Sequence, residues 1–311
     1  MSSTIITHHW IESFEKFYIS AIVVSNQNTN DYNRKPVAII AGATGVVKEY
    51  YTSFASFLVS ESAVHACLLF DYRGVDSNIK NHWTRDTESC VQFLSKVYSG
   101  HPIVYIAHSV GGHILGFLRN QNLLTRVLFI SVNNAFYKWW QWGKVPGYAK
   151  FLLNVVAPYI AVPTYGYYPS SIVGLGEDIP SNVGLQWMYW CNYKAYMCHR
   201  PENKALFEKC TLPIEFIAFS DDELSGFEAF DSTLRYIFSN SDGRLLYMDT
   251  QKAKLPVSPG HLKFFRSAMK NILWYPVLQW IGAGEKIDVK AFGFPEGAIK
   301  IVKTNSSMPH L

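Results

Sequence analysis

The sequence predicts an α/β fold: a mostly parallel central sheet flanked by helices, with a helical lid inserted in its second half. Short continuous apolar runs recur at 36–42, 65–70, 103–107, 126–132 and 213–219, as strands buried on both faces require. Between them, apolar residues recur at helical spacing over 48–58 and 81–98. Gly42, Asp71, Ser109 and Asn133 fall at the ends of such runs. Ligands on parallel sheets collect at these carboxyl ends.

In chain order, residues 5–10 and 17–24 are β-rich runs around a polar turn, so the chain opens with a hairpin. After a polar loop, the run 36–42 ends in Gly42-Ala43-Thr44-Gly45. The helix 48–58 and the strand 65–70, ending at Asp71-Tyr72-Arg73-Gly74, complete a βαβ unit. The helix 81–98 leads to the strand before Ser109, a helix over 111–118 lies behind it, and 126–132 is the next strand. From 135 to 209 the pattern breaks: aromatic residues are dense, and Pro146, Pro158, Pro163, Pro169 and Pro180 divide short helices. This is the expected lid, with 1–134 and 210–284 as the core. Order returns with the strand 213–219, a helix over 227–238, the strand 245–248 and a closing helix over 264–281. Residues 285–311 read as a weakly patterned tail.

A composition of 49% hydrophobic and 17% charged residues supplies a large core and excludes global disorder. The net charge of +4, without a cluster of Lys and Arg interleaved with aromatics, excludes a nucleic-acid face. Cys67, Cys90, Cys191, Cys198 and Cys210 show no metal-ligand spacing and read as reduced thiols of an intracellular protein. Glu12, Glu15 and Lys16 interrupt the early hydrophobics, which argues against a secretory leader. The apolar stretch 151–162 contains Asn154 and Pro158 and is too short to span a bilayer. The expectation is a soluble, cytoplasmic protein that could touch a lipid surface peripherally. The ending Pro309-His310-Leu311 faintly resembles a peroxisomal signal and supplies the alternative location.

Ala107-His108-Ser109-Val110-Gly111-Gly112 has the pattern of a nucleophile elbow, with Ala107 where the usual pattern has glycine. Serine is a poor nucleophile alone and needs a base oriented by an acid. Asp222 and His261 follow Ser109 in the required chain order, each on a loop after a predicted strand. Asp221 is the rival acid; Asp222 is preferred because 223–226 supplies the short run expected before the next helix. Backbone donors for a developing oxyanion are expected from Val110 and Ala43. His113 is expected to pack on the first helical turn, and Asp71 and Arg73 to form an ion pair or brace a loop. Of the lid aromatics, Trp139, Trp187 and Trp190 are candidate pocket residues, while Trp140, Trp142 and Tyr189 serve packing as readily. Glu177 and Asp178 could hold an α-amino group, but a solvated loop is the plainer reading.

On these residues the chain resembles the α/β-hydrolases from about 15 to 284. Within that superfamily it is similar to the serine aminopeptidase and monoacylglycerol-lipase-like group. It most resembles a branch with Gly166-Tyr167-Tyr168-Pro169, a Gly-Leu-Gly-Glu-Asp-Ile-Pro run at 174–180 and Trp187-Met188-Tyr189-Trp190 in the lid. The resemblance implies hydrolysis through an acyl-enzyme, without a metal or organic cofactor. A carboxylic ester, small or lipid-like, is the expected substrate. An amide or peptide, acyl transfer to another acceptor, or a non-catalytic protein holding an apolar ligand remain as alternatives.

Overall fold

The computed structural model describes residues 4–26, 34–74, 77–141, 149, 152, 156–173 and 177–304. These build a nine-stranded sheet from β1 (Thr4–Glu12), β2 (Tyr18–Asn26), β3 (Val37–Ala41), β4 (Ala66–Phe70), β5 (Ile103–His108), β6 (Leu124–Ile130), β9 (Ile214–Phe219), β10 (Gly243–Met248) and β11 (Ile299–Lys303). The strand order is β1-β2-β4-β3-β5-β6-β9-β10-β11. From β4 through β10 the pairs are parallel, while β1, β2 and β11 make the antiparallel margins. A separate two-stranded pair, β7 (Tyr167–Tyr168) and β8 (Ile179–Pro180), lies between β6 and β9 in the chain.

The continuous apolar runs work because the sheet is covered on both faces. Ile39, Leu68, Tyr105, Phe129 and Phe216 point to one side, where α2 (Thr84–Val97) and α3 (Val110–Leu115) add Cys90, Val91, Leu94, Ile114 and Leu115. Ile40, Leu69, Ile106, Leu128 and Ile217 point to the other, against Phe54 and Leu58 of α1 (Thr52–Ser60) and against Phe264, Trp274 and Trp280. The opening hairpin is tied down by a buried ion pair. Arg73 meets Asp86 at 2.6 Å, Ser13 donates to the same carboxylate at 2.7 Å, and the guanidinium lies over the rings of Phe14 and Phe17.

Between β6 and β9 the chain forms α4 (Ala157–Tyr165), the β7–β8 pair, α5 (Ser181–Cys191) and α6 (Pro201–Phe207). Two expectations fail after β9, where α7 (Phe227–Ser232) covers the strand. The predicted helix over 264–281 is broken into 3-10 and π turns at Lys263–Phe265, Ser267–Met269, Lys270–Trp274 and Tyr275–Val277, ending in α8 (Leu278–Ala283). The physical reason is local. Arg266 is extended, Pro276 has no N–H to give, and the Trp274 indole donates to the Phe264 carbonyl at 2.6 Å, replacing a helical partner.

Residues 285–304 are not a tail either. Asp288 caps a turn at Val289–Phe292, and β11 pairs antiparallel with β10, burying Ile287, Phe292, Ala298 and Val302. Lys300 and Lys303 make β11 look like a polar segment, yet they suit a half-exposed edge strand. Residues 305–311, with the carboxyl-terminal tripeptide, lie outside the described residues. Deleting 285–311 removes these apolar side chains and uncovers β10. It should lower the unfolding free energy by roughly 5 kcal/mol and promote aggregation, read by urea titration and light scattering.

Candidate active site

Ser109 sits between the end of β5 and the start of α3 with φ 52° and ψ −116°, a backbone conformation that L-residues rarely adopt. The tightness of this turn explains its glycines. A Cβ on Gly111 would lie 2.1 Å from the Ala41 carbonyl oxygen, and one on Gly112 would lie 2.3 Å from Val132. Ala107 is tolerated because it stays within β5, opposite the equally small Ala41 of β3.

Asp222 and His261 meet where the loops after β9 and β10 converge. His261 Nδ1 donates to Asp222 Oδ2 at 2.7 Å, and both residues are buried. This leaves Nε2 as the ring atom free for a proton. The other Asp222 oxygen accepts from the Leu224 amide at 2.9 Å. Asp221, the rival, instead accepts from the Ser258 hydroxyl at the surface. Burial pushes the His261 pKa down, but the charge and hydrogen bond of Asp222, with Glu223 beside it, outweigh burial and hold it above the ordinary value.

The other two histidines near Ser109 are electrically different. Burial lowers His108 to about 3 and His113 to about 4. The His113 Nε2–H donates to the Asn133 carbonyl at 2.7 Å, with its ring edge-on to Tyr196, which fits the expected packing role. His108 belongs to a buried chain of hydrogen bonds. The Ala43 amide donates to Tyr51 Oη at 2.8 Å, the Tyr51 hydroxyl donates to His108 Nδ1 at 2.9 Å, and His108 Nε2–H donates to the His261 carbonyl at 2.8 Å.

This chain corrects the expected oxyanion donor. Ala43 lines the cavity, but its N–H is already committed to Tyr51. The amides of Val110 and Thr44 have no hydrogen-bond partner among the described residues, and both residues line the cavity. Thr44 and Gly45 form the corner of a turn closed by Val46 N–H to the Ala43 carbonyl, with Gly45 at φ 69°. That is the signature of a type II turn, in which the first corner residue accommodates proline.

Ser109, Val110 and His261 open into one cleft of about 860 Å³, solvent at its mouth included. Its apolar wall is Trp140, Tyr168, Ile179, Trp187, Met188 and Leu224. Trp187 is where the sequence suggested; Trp139 and Trp190 are not. Trp139 packs edge-on to Phe136, and Trp190 stacks on Phe117 behind the cleft. Trp140 takes the place expected of its neighbour, a choice that the adjacent pair Trp139-Trp140 could not reveal. Trp142 and 174–176 lie outside the described residues. Glu177 and Asp178 are exposed and border a neighbouring groove with Asp71, where Asp178 accepts from the Ser171 amide and hydroxyl. Asp71 and Arg73 brace the structure with separate partners, Lys48 and Asp86, rather than with each other.

No family model matches the sequence, and no curated protein sequence does. Solved structures match over 79–90% of the chain. An esterase from Pyrococcus furiosus is 12% identical over 90% of this chain and 92% of its own, with a TM-score of 0.54. A hypothetical protein from Pseudomonas aeruginosa is 13% identical over 90% and 93%, at 0.56. An esterase from Rhizomucor miehei is 12% identical over 79% and 75%, at 0.52. At this identity the likeness concerns architecture, and the architecture is the α/β-hydrolase fold.

Tyr51→Phe leaves the Ala43 amide and His108 Nδ1 buried without partners. It should cost about 1–3 kcal/mol of stability in urea unfolding, whereas Tyr50→Phe at the half-buried neighbour should cost less.

Proposed function

We propose that the protein is a serine hydrolase that cleaves a carboxylic ester through an acyl-enzyme on Ser109. The observation that carries this reading is the buried Asp222–His261 pair opening into the same cleft as a serine held in a strained turn. Ser109 Oγ attacks the ester carbonyl while His261 Nε2 takes its proton. Asp222 fixes the imidazole tautomer and stabilises the transient imidazolium. The amides of Val110 and Thr44 receive the charge that develops on the carbonyl oxygen. His261 then protonates the departing alcohol, and a water activated in the same way releases the acid. The apolar wall favours a hydrophobic acyl group, and two similar structures, both esterases, support an ester as the substrate class.

A fluorophosphonate probe should label the wild type and leave Ser109→Ala unlabelled; labelling that persists in the variant would remove Ser109 from its role. A panel of p-nitrophenyl esters and aminoacyl anilides should show turnover of the esters, and activity confined to the anilides would overturn the substrate class. Thr44→Pro keeps the type II corner but deletes one N–H. It should lower kcat by about 10² to 10³ with the thermal transition in place.

The pH dependence follows from the raised His261 pKa. His261 must be neutral to act as base, so kcat/KM rises with pH through a midpoint above the ordinary histidine value of 6.5. Asp222→Asn removes the charge that raises it. The rate should fall by about 10⁴ and any residual limb should shift to lower pH.

A further inference from the structure

Packing accounts for one ring nitrogen of His113 and leaves the other unexplained. Ser109 caps α3, and His113 lies one turn further on, about 6 Å along the axis. Both residues line the same cleft. Because the Asn133 carbonyl can only accept, Nε2 of His113 carries the proton, and Nδ1 is left as a bare lone pair. That lone pair is buried and meets no hydrogen-bond donor among the described residues. Tyr196 touches the ring edge-on, with centroids 5.0 Å apart, and gives it no hydrogen bond. Burial lowers the ring to about 4, so near neutral pH Nδ1 stays an acceptor. A buried acceptor without a partner is costly, and folded proteins keep few of them. A ring that only braced the backbone would need the donor at Nε2 and nothing at Nδ1.

The rest of the lining narrows the chemistry that such an acceptor suits. Asn133 also lines the cleft; its Nδ2 donates to Ser225, and its Oδ1 has no partner among the described residues. The cleft therefore presents two neutral acceptors beside an apolar wall of Trp140, Tyr168, Ile179, Trp187 and Met188. An ammonium group would enter this wall unpaired, because the one carboxylate among the lining residues, Glu223, is exposed and accepts from the His261 amide. An amide would bring in a carbonyl that needs a donor of its own. A hydroxyl offers one proton to an acceptor and stays neutral.

We propose that His113 Nδ1 accepts a hydrogen bond from a hydroxyl on the acyl chain of the substrate, so that the cleft selects esters of hydroxylated apolar acids. The acyl side follows from the apolar wall assigned to that group, so the substrate class rests on the hydrolase reading. The hydroxyl site itself rests on the orphaned nitrogen.

The test compares p-nitrophenyl hexanoate with its 3-hydroxy, 6-hydroxy and 6-amino derivatives by kcat/KM on the full chain. In the wild type at least one hydroxy ester should exceed the unsubstituted ester by about tenfold, and the amino ester should fall below it. In His113→Phe the ratio of that hydroxy ester to the unsubstituted one should drop toward one. A merely structural ring would lower all the esters alike and keep the ratio. A second measurement does not need that variant to fold: in Ser109→Ala the ¹⁵N resonance of His113 Nδ1 should shift on adding ethyl 3-hydroxyhexanoate or ethyl 6-hydroxyhexanoate, and should not shift with ethyl hexanoate. Equal kcat/KM for the three neutral esters, a preference that survives in His113→Phe, or an Nδ1 resonance unmoved by either hydroxy ester would assign the nitrogen to a resident water and overturn the proposal. Preference for the amino ester would overturn it as well. No turnover of any ester, with the Nδ1 shift still present, would sink the hydrolase reading and leave the hydroxyl site standing.

Discussion

The close approach of three backbone segments around Ser109 is the constraint on which the remaining structure depends. The turn holds Ser109 at a positive φ, a conformation that costs on the order of 1–3 kcal/mol and persists only when its surroundings over-determine it. Those surroundings are specific. The β3 carbonyl of Ala41 occupies the space a side chain at 111 would need, and Val132 fills the space at 112. The Tyr105 hydroxyl, fully buried, donates to the Gly111 carbonyl at 2.8 Å and fastens the first turn of α3 to β5. The parallel strands β3, β5 and β6 therefore have to end at one level, which is also where the loops carrying Asp222 and His261 return.

The hydrogen bonds from Ala43 through Tyr51 and His108 to His261 bind the same parts together from beneath. They join the loop after β3, the residue before Ser109 and the backbone of the histidine that meets Asp222. None of these groups is wet, so each depends on the next for a partner, and the loss of one leaves others desolvated and unpaired. Because Tyr51 takes the Ala43 amide, the amide left without a partner among the described residues lies one residue along, at the corner of the turn at Thr44. A sequence motif places such a loop but does not say which of its amides is already in use.

Much of the fold was legible, and the reason is periodicity. Strands buried on both faces leave unbroken apolar runs, and the parallel core was read from them with its order of strands and helices. Asp222 was preferred to Asp221 on the loop beyond it, by a margin too small to decide; in the structure it is Asp222 that turns inward, meets His261 and caps the Leu224 amide. Failures occurred where tertiary contacts override local pattern. The segment 264–281 has helical spacing, yet Trp274 and Pro276 divert its hydrogen bonds. The strand β11 carries Lys300 and Lys303 and becomes a strand only because β10 offers it an edge. Trp139 and Trp190 are as aromatic as Trp140 and Trp187, and which of them faces the cleft depends on the course of the whole segment between β6 and β9.

Three histidines surround the elbow, and their differences show how one fold assigns unlike roles to one side chain. His108 and His113 each give Nε2–H to a backbone carbonyl and have no carboxylate at the ring, so burial, with the charge of His261 beside it, outweighs those hydrogen bonds and lowers their pKa values to about 3 and 4. A ring with so low a pKa is too weak a base to take a proton from serine near neutral pH. His261 is as buried as they are, but its Nδ1–H meets a carboxylate, and its pKa moves the opposite way. Burial alone would have made three structural histidines; one aspartate, at 2.7 Å, separates His261 from the two that hold the backbone in place. Of the three rings, His261 alone lines the cleft with an Nε2 that has no hydrogen-bond partner among the described residues and beside it a charge that stabilises the protonated form.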